Sequence, residues 1–243
     1  MTTKPNVALV AGVGEGLGGA IARRFARGGH PTVLVARNAD RLARIAAGIE
    51  AAGGRGIAYV ADLREESAVA KLFDDVEAEI GPIGVAVFNT GANYRASILD
   101  TPADMFEKVW RLGCYAGFLV GREAARHMVP RGQGTILFTG ATASLRGSAQ
   151  FAAFAAAKGG VRQVAQAMAR ELGPQGIHVA SVIIDGMIDS PRVRERFPER
   201  AAQLPPDGML KPDDIAETYW QLHQQPRDAW TFEVDLRPWA EQF

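Results

Sequence analysis

The feature that most constrains this chain is a repeated switch between two apolar periods. Short β-rich runs stand at Val7–Ala11, Thr32–Ala36, Ile57–Val60, Val85–Phe88, Thr135–Thr139, Val179–Ile184 and Phe232–Leu236. Between them lie stretches with helical spacing at Leu17–Arg27, Ala39–Ala52, Glu65–Ile80, Pro102–Val129, Gln150–Leu172 and Asp213–Gln224. Parallel strands need long crossovers, and a helix is the usual one. The alternation therefore predicts an α/β chain with a doubly wound parallel sheet of about seven strands and helices on both faces. The unbroken apolarity of Val7–Ala11 and Val179–Ile184 fits strands buried on both sides.

Punctuation agrees with these boundaries. Gly28-Gly29-His30-Pro31, Gly53-Gly54, Gly81-Pro82 and Gly173-Pro174 each follow a helical pattern and stop it. Thr101-Pro102 reads as an N-cap followed by proline at the first helical position. No linker, repeat or low-complexity tract divides the sequence, so residues 1–243 are expected to form a single domain. The one irregular stretch is an excursion over Gly186–Leu210, rich in proline and arginine.

Composition removes several classes of function. With 47% hydrophobic and 22% charged residues, the chain is not of the disordered type. Its 27 Lys and Arg balance 27 Asp and Glu, so no bulk positive field argues for nucleic acid or an anionic membrane. Cys114 is the single cysteine, and His30, His127, His178 and His223 are scattered, so neither a disulfide nor a metal site is expected. No apolar run reaches the roughly 18 residues of a membrane span. The opening Met1–Asn6 lacks the apolar core of a leader. The expectation is a cytoplasmic protein acting on a small molecule, without nucleic-acid or membrane partners.

The strongest local signal is Ala11-Gly-Val-Gly-Glu-Gly-Leu-Gly18, directly after the first strand and opening the first helix. Glycines there allow a tight turn and close approach of a diphosphate, and the helix N-terminus offers free N–H groups and a positive dipole end. A nucleotide-binding turn is expected rather than a chance glycine-rich loop.

Gly12, Gly16 and Gly18 form G-x-x-x-G-x-G, which resembles the short-chain dehydrogenase/reductase family, a Rossmann-type fold. Asp62-Leu63 after the third strand resembles that family's adenine-side aspartate. Asn89-Thr90-Gly91 resembles its Asn-Asn-Ala-Gly motif, and Lys158 its Tyr-x-x-x-Lys lysine. The resemblance runs from about residue 5 to 240. It implies a nicotinamide dinucleotide held by Gly12, Gly14, Glu15, Gly16, Leu17 and Gly18 in the turn. Further contacts would come from Asp62, Leu63, Asn89, Gly91 and Lys158, with Ile188 and Ser190 at the nicotinamide end.

At the end of the second strand, where a carboxylate would bind the ribose hydroxyls of NAD, stands Ala36, and Arg37 follows it. A guanidinium suits a 2′-phosphate, so NADP(H) is preferred and NAD(H) is the alternative. Glu15 argues the other way unless it points to solvent.

The resemblance breaks at the catalytic residues. The family's tyrosine exchanges the substrate proton, its serine holds the substrate oxygen, and its asparagine supports a water chain to the lysine. Here Phe154 stands at the tyrosine position, fixed by its spacing to Lys158. Ala141 stands at the serine position, or Thr142 if the alignment slips by one residue. Gly113 falls at the asparagine position. Losing a general acid costs roughly 10²–10⁴ in rate, so another donor is needed for ordinary turnover. Asp185 is one candidate for a substitute acid; Tyr94 and Tyr115 are the others.

Arg192, Arg194, Arg196 and Arg200 in the excursion, interleaved with Glu195 and Glu199, read as a solvated helix face or as a lid gripping an anion. Two functions stay open. One is an NAD(P)(H)-dependent oxidoreductase whose catalytic tetrad keeps only Lys158; the other is a silent nucleotide-binding scaffold. The resemblance also implies a homodimer or homotetramer packed through the two long helices, where Ala152, Ala153 and Ala155–Ala157 would permit close approach.

Overall fold

In the computed structural model, residues 6–241 are described. Residues 1–5, part of the opening read above for a leader, lie outside them. Seven strands form one parallel sheet: β1 (Val7–Ala11), β2 (Thr32–Ala36), β3 (Gly56–Val60), β4 (Ile83–Phe88), β5 (Gly134–Thr139), β6 (Ile177–Ile184) and β7 (Glu233–Leu236). Their order is β3-β2-β1-β4-β5-β6-β7. The chain winds outward from β1 in one direction, then returns and winds outward in the other. The switch between β1 and β4 opens a crevice at their carboxyl ends.

Side chains alternate along each strand, so the sheet feeds two cores. Val7 and Leu9 of β1 join a core with helices α3 (Glu66–Glu79), α5 (Ala116–Met128) and α6 (Ala152–Leu172). Ala8 and Val10 join the opposite core with α1 (Leu17–Arg27), α2 (Ala39–Ala51) and α9 (Pro212–His223). All eight residues of β6 are buried, as a central strand covered on both faces requires.

Three expectations need correction. The helix read over Pro102–Val129 is interrupted: α4 (Ala103–Trp110) and α5 are joined by a π-helical turn at Arg111–Tyr115. Its cap is Pro102 rather than Thr101, whose hydroxyl instead donates to Ser97 O at 2.7 Å. The excursion holds two short helices, α7 (Pro191–Arg196) and α8 (Pro198–Gln203), and is tied off by a parallel bridge between Ile188 and Leu210. Proline at the start of each suits a position whose N–H has no helical partner.

Candidate active site

The glycine turn lies at the β1–β4 crevice. Gly12 has φ of +100°, a conformation that favours glycine, and a Cβ there would lie 2.7 Å from Asn89 O. Gly12 and Val13 both donate their N–H to Val35 O, and Asn89 Nδ2 donates to Gly12 O at 3.1 Å. These bonds hold the turn against two strands. Gly14 faces open space. Helix α1 starts with Gly16 as its cap, no capping side chain and no acid in its first turn. Bare amides, an open approach and a positive helix end fit a dinucleotide's diphosphate.

The adenosine side is charged on both flanks. Arg37 is exposed immediately after β2. Asp62 is clamped by Arg64, whose Nε lies 2.9 Å from Oδ1 and whose Nη2 lies 2.5 Å from Oδ2. That clamp, helped by Arg64 N–H and the charge of Arg37, pulls the Asp62 carboxyl down to about 2. Leu63 is buried beside it. Glu15 pairs with Arg44 at 3.2 Å, which gives its charge a partner on the exposed surface.

At the nicotinamide end, Lys158 is almost wholly buried on α6. Its Nζ donates to Thr90 O at 3.0 Å and to Thr139 O at 2.7 Å, bridging the ends of β4 and β5. Burial lowers its pKa to about 8. Phe154, one turn earlier, stands on the cleft wall with it. A Cβ at Gly91 would lie 3.1 Å from Lys158 Cε and 3.9 Å from Phe154 Cε2, so the bare backbone at Gly91 makes room for both. The phenyl ring has no proton to exchange.

The opposite wall carries Ala141 and Thr142, at the start of a 3₁₀ turn over Thr142–Ser144. Ala141 offers the cleft no polar side chain. Thr142 does, and its Oγ1 donates a short hydrogen bond to Asp185 Oδ1. Asp185 has no exposed surface; Arg146 Nη2 and Arg237 Nη2 each approach its Oδ2 to 3.7 Å. Asp185, the candidate substitute acid, does not itself line the cleft: its carboxylate lies behind the wall, and Thr142 stands before it.

The two tyrosines weighed as donors are also placed elsewhere. Tyr94 packs against Val109, Ala153 and Ala157. Tyr115 packs on the main core, stacked on Trp110 with ring centres 6.2 Å apart. Neither lines the cleft. Gly113 meets α6 instead of the cleft, for a Cβ there would lie 2.8 Å from Ala157 Cβ. Within the π turn, Leu112 O accepts from Thr90 Oγ1 at 2.7 Å. Ala153 and Ala157 are buried within the chain itself, which removes them from the run expected to face a second copy.

Ser190 caps α7 through Val193 N and rests over the glycine turn; a Cβ at Gly16 would lie 3.4 Å from Ser190 Cβ. The bridge at Ile188 uses Met187 O and Asp189 N, so the N–H and C=O of Ile188 are turned to the other side. The cleft between these walls measures about 610 Å³.

Known proteins with this arrangement are numerous. A family model described as short chain dehydrogenase matches residues 6–201. The crystal structure of a short-chain dehydrogenase from Rhodopseudomonas palustris is 46% identical, with a TM-score of 0.83 over 97% of this chain and 99% of that one. A metagenomic short-chain oxidoreductase solved in complex with NADP is 26% identical, with a TM-score of 0.83 over 99% and 100%. The cis-4-hydroxycyclohexanecarboxylate dehydrogenase of Sinomonas cyclohexanicum is 31% identical over 218 residues, covering 87% of this chain and 86% of the relative.

The chain belongs to the short-chain dehydrogenase family.

That family consists of NAD(P)-dependent oxidoreductases, and the turn, sheet order and crevice of this short-chain dehydrogenase are those of a dinucleotide-binding fold. Among the described residues, no helix is long and apolar enough to cross a membrane. Several site residues escape a linear reading. Thr139 contributes only a carbonyl, and Arg64 acts by clamping Asp62, for which the spacing of two residues was the available signal. Phe151, Phe197 and Arg146 reach the cleft from loops and helix ends with no motif to announce them.

Proposed function

We propose that this short-chain dehydrogenase is an NADP(H)-dependent oxidoreductase that interconverts an alcohol and a carbonyl, with Thr142 and Asp185 handling the proton that a tyrosine would otherwise exchange. The nicotinamide coenzyme, when bound, takes up or supplies the hydride. The chain does the rest. The glycine turn would hold the diphosphate, Lys158 and Ile188 would line the nicotinamide end, and Arg37 would meet the adenosine ribose. Thr142 lines the cleft and its Oγ1 donates its own proton to Asp185, which leaves the oxygen's lone pairs to accept from a substrate hydroxyl. As the alcohol loses hydride from carbon, its O–H proton passes to Thr142 Oγ1 and the threonine proton passes to Asp185 Oδ1. Reduction runs the same two transfers backwards.

The observation that carries this reading is that a cleft-facing hydroxyl is bonded to a carboxylate sealed from solvent. A second reading has its own support, because Phe154 and Ala141 present no exchangeable proton: a nucleotide-binding scaffold without turnover. Calorimetric titration with NADPH, followed by coenzyme turnover against a panel of secondary alcohols and their ketones, separates the two. The oxidoreductase reading requires binding and turnover. Binding with no turnover across the panel favours the scaffold, and absence of binding removes both.

A homo-oligomer is proposed alongside. Phe106, Trp110 and Phe118 remain partly exposed along the α4–α5 face, with Ile98 and Leu99 still more exposed beside α4. Sedimentation equilibrium of the wild type and of the Trp110→Glu/Phe118→Glu pair tests it. A monomeric wild type defeats the proposal.

A further inference from the structure

We infer that the substrate of this site is a ring alcohol or ketone carrying a carboxylate, and that Arg146 and Arg200 grip that carboxylate; the inference rests on the oxidoreductase reading above. Two arginines line the cleft, and three others of the surrounding segments, Arg194, Arg196 and Arg237, do not. Arg194 is engaged bidentately by Asp189 at 2.6 and 2.8 Å, Arg196 donates to Asn93 O, and Arg237 is paired with Asp235. These three are committed to protein partners. Arg146 and Arg200 both line the cleft, and among the described residues neither guanidinium makes a hydrogen bond to a protein group. Arg146 has only a carboxylate oxygen at 3.7 Å, beyond hydrogen-bond range, and Arg200 has no ion pair. A guanidinium carries five donors in a planar fork that fits a carboxylate.

Position then constrains the substrate. Thr142 Oγ1 bonds one oxygen of Asp185 and Arg146 lies against the other. The hydroxyl that would hold the reacting oxygen and the guanidinium are thus separated by no more than two polar contacts and the width of one carboxylate. A molecule meeting both carries its reacting oxygen and its anionic group no farther apart than about one ring allows. The cleft lining includes the aromatic and aliphatic side chains of Phe151, Phe154, Phe197, Val193 and Met187. Such side chains receive a ring's apolar body. Glu241 is the one acidic residue on the cleft wall, and it is not within ion-pair distance of either arginine. The substrate named for the relative from Sinomonas cyclohexanicum is a ring alcohol of this class.

The test compares cyclohexanecarboxylate with cyclohexanecarboxamide, titrated calorimetrically into the full-length protein saturated with NADP⁺. The carboxylate should bind at least tenfold tighter than the amide, as charge-assisted bonds to a guanidinium imply, and the preference should shrink as salt is raised. Arg146→Met and Arg200→Met should each erode the preference, and the double variant should erase it, with NADPH affinity unchanged in all three. Glu241→Gln should tighten the carboxylate alone. Equal affinity for the two probes overturns the inference. So does a preference that survives the double variant, or failure of both probes to bind a protein that does bind NADP⁺. Failure to bind NADP⁺ at all strikes the oxidoreductase reading instead.

Discussion

Thr142 donates its hydroxyl proton to Asp185, a carboxylate with no exposed surface that also lies 3.7 Å from two guanidinium groups. The pair joins the wall of the cleft to the end of β6. It supplies a polar group where Phe154 and Ala141 supply none.

Removing that hydroxyl should slow chemistry without disturbing coenzyme binding. For Thr142→Val we expect a loss of roughly 10²-fold or more in kcat, the scale set by oxyanion donors and general acids. Thr142→Ser should restore most of it, because the serine hydroxyl can reach Asp185. NADPH affinity should stay within about twofold in both. Equal turnover in Val and wild-type proteins would remove Thr142 from the mechanism.

Phe154→Tyr should add a second proton donor beside Lys158. The lysine lies one helical turn away on the same wall, and its charge would favour the phenolate. An increase in ketone reduction of about tenfold or more is expected under either functional reading. In the scaffold reading the variant would be the first form to turn over at all. No gain in coenzyme oxidation, with NADPH binding intact, would count against the assignment of position 154.

Coenzyme choice should respond to a single exposed cation. Arg37→Ala is expected to weaken NADPH by roughly 10- to 100-fold, the worth of a charge-assisted bond to phosphate, and to leave NADH nearly unchanged. Parallel titrations of the two coenzymes read this directly. An equal loss for both would move the 2′-phosphate away from Arg37.

Lys158 should make stability depend on pH in an unusual direction. Its folded pKa is lowered to about 8 from an ordinary 10.5, because burial disfavours the charged form. Below about 8 both folded and unfolded chains carry the proton, and the cost of burying the charge is fully present. Between that value and the unfolded one, the unfolded chain binds more protons, so stability rises with pH. The relief amounts to roughly 3 kcal/mol at the top of the window. Urea unfolding of the wild type and of Lys158→Met at pH 7 and pH 10 isolates it. The wild type should gain on the variant as pH rises; a constant difference would show that the ammonium is not desolvated.

The contact between Gly113 and Ala157 should be intolerant of a single added methyl. Gly113→Ala places a Cβ 2.8 Å from Ala157 Cβ, and neither atom can swing away. A destabilisation of about 1–3 kcal/mol is expected, the scale of overpacking. Adding Ala157→Gly should recover part of it, a coupling that a double-mutant cycle measures. Additive effects would mean that the helices part easily at this point.

Much of this molecule is legible in its sequence because the signals are local. Six of the seven strands begin within two residues of their expected starts and end where expected, and the seventh is shorter by one. Alternation of side chains and glycine stops act over a few neighbours. The glycine turn, Arg37, Asp62 and the Phe154–Lys158 spacing are likewise read along one strand end or one helical turn. The π turn at Arg111–Tyr115 was not legible, since its extra residue leaves the apolar pattern of the long helix nearly unchanged.

The sequence by itself determined the doubly wound sheet, the nucleotide turn and the absence of a tyrosine at position 154, because each depends on residues close along the chain. Only the tertiary structure brings a polar pair to the cleft wall. Thr142 and Asp185 are 43 residues apart and meet because β5 pairs with β6, which brings the turn after one strand against the end of the other. The same holds for the arginines. Composition makes Arg194 and Arg200 alike, and folding separates them by giving Asp189 to the first and leaving the second facing the cleft.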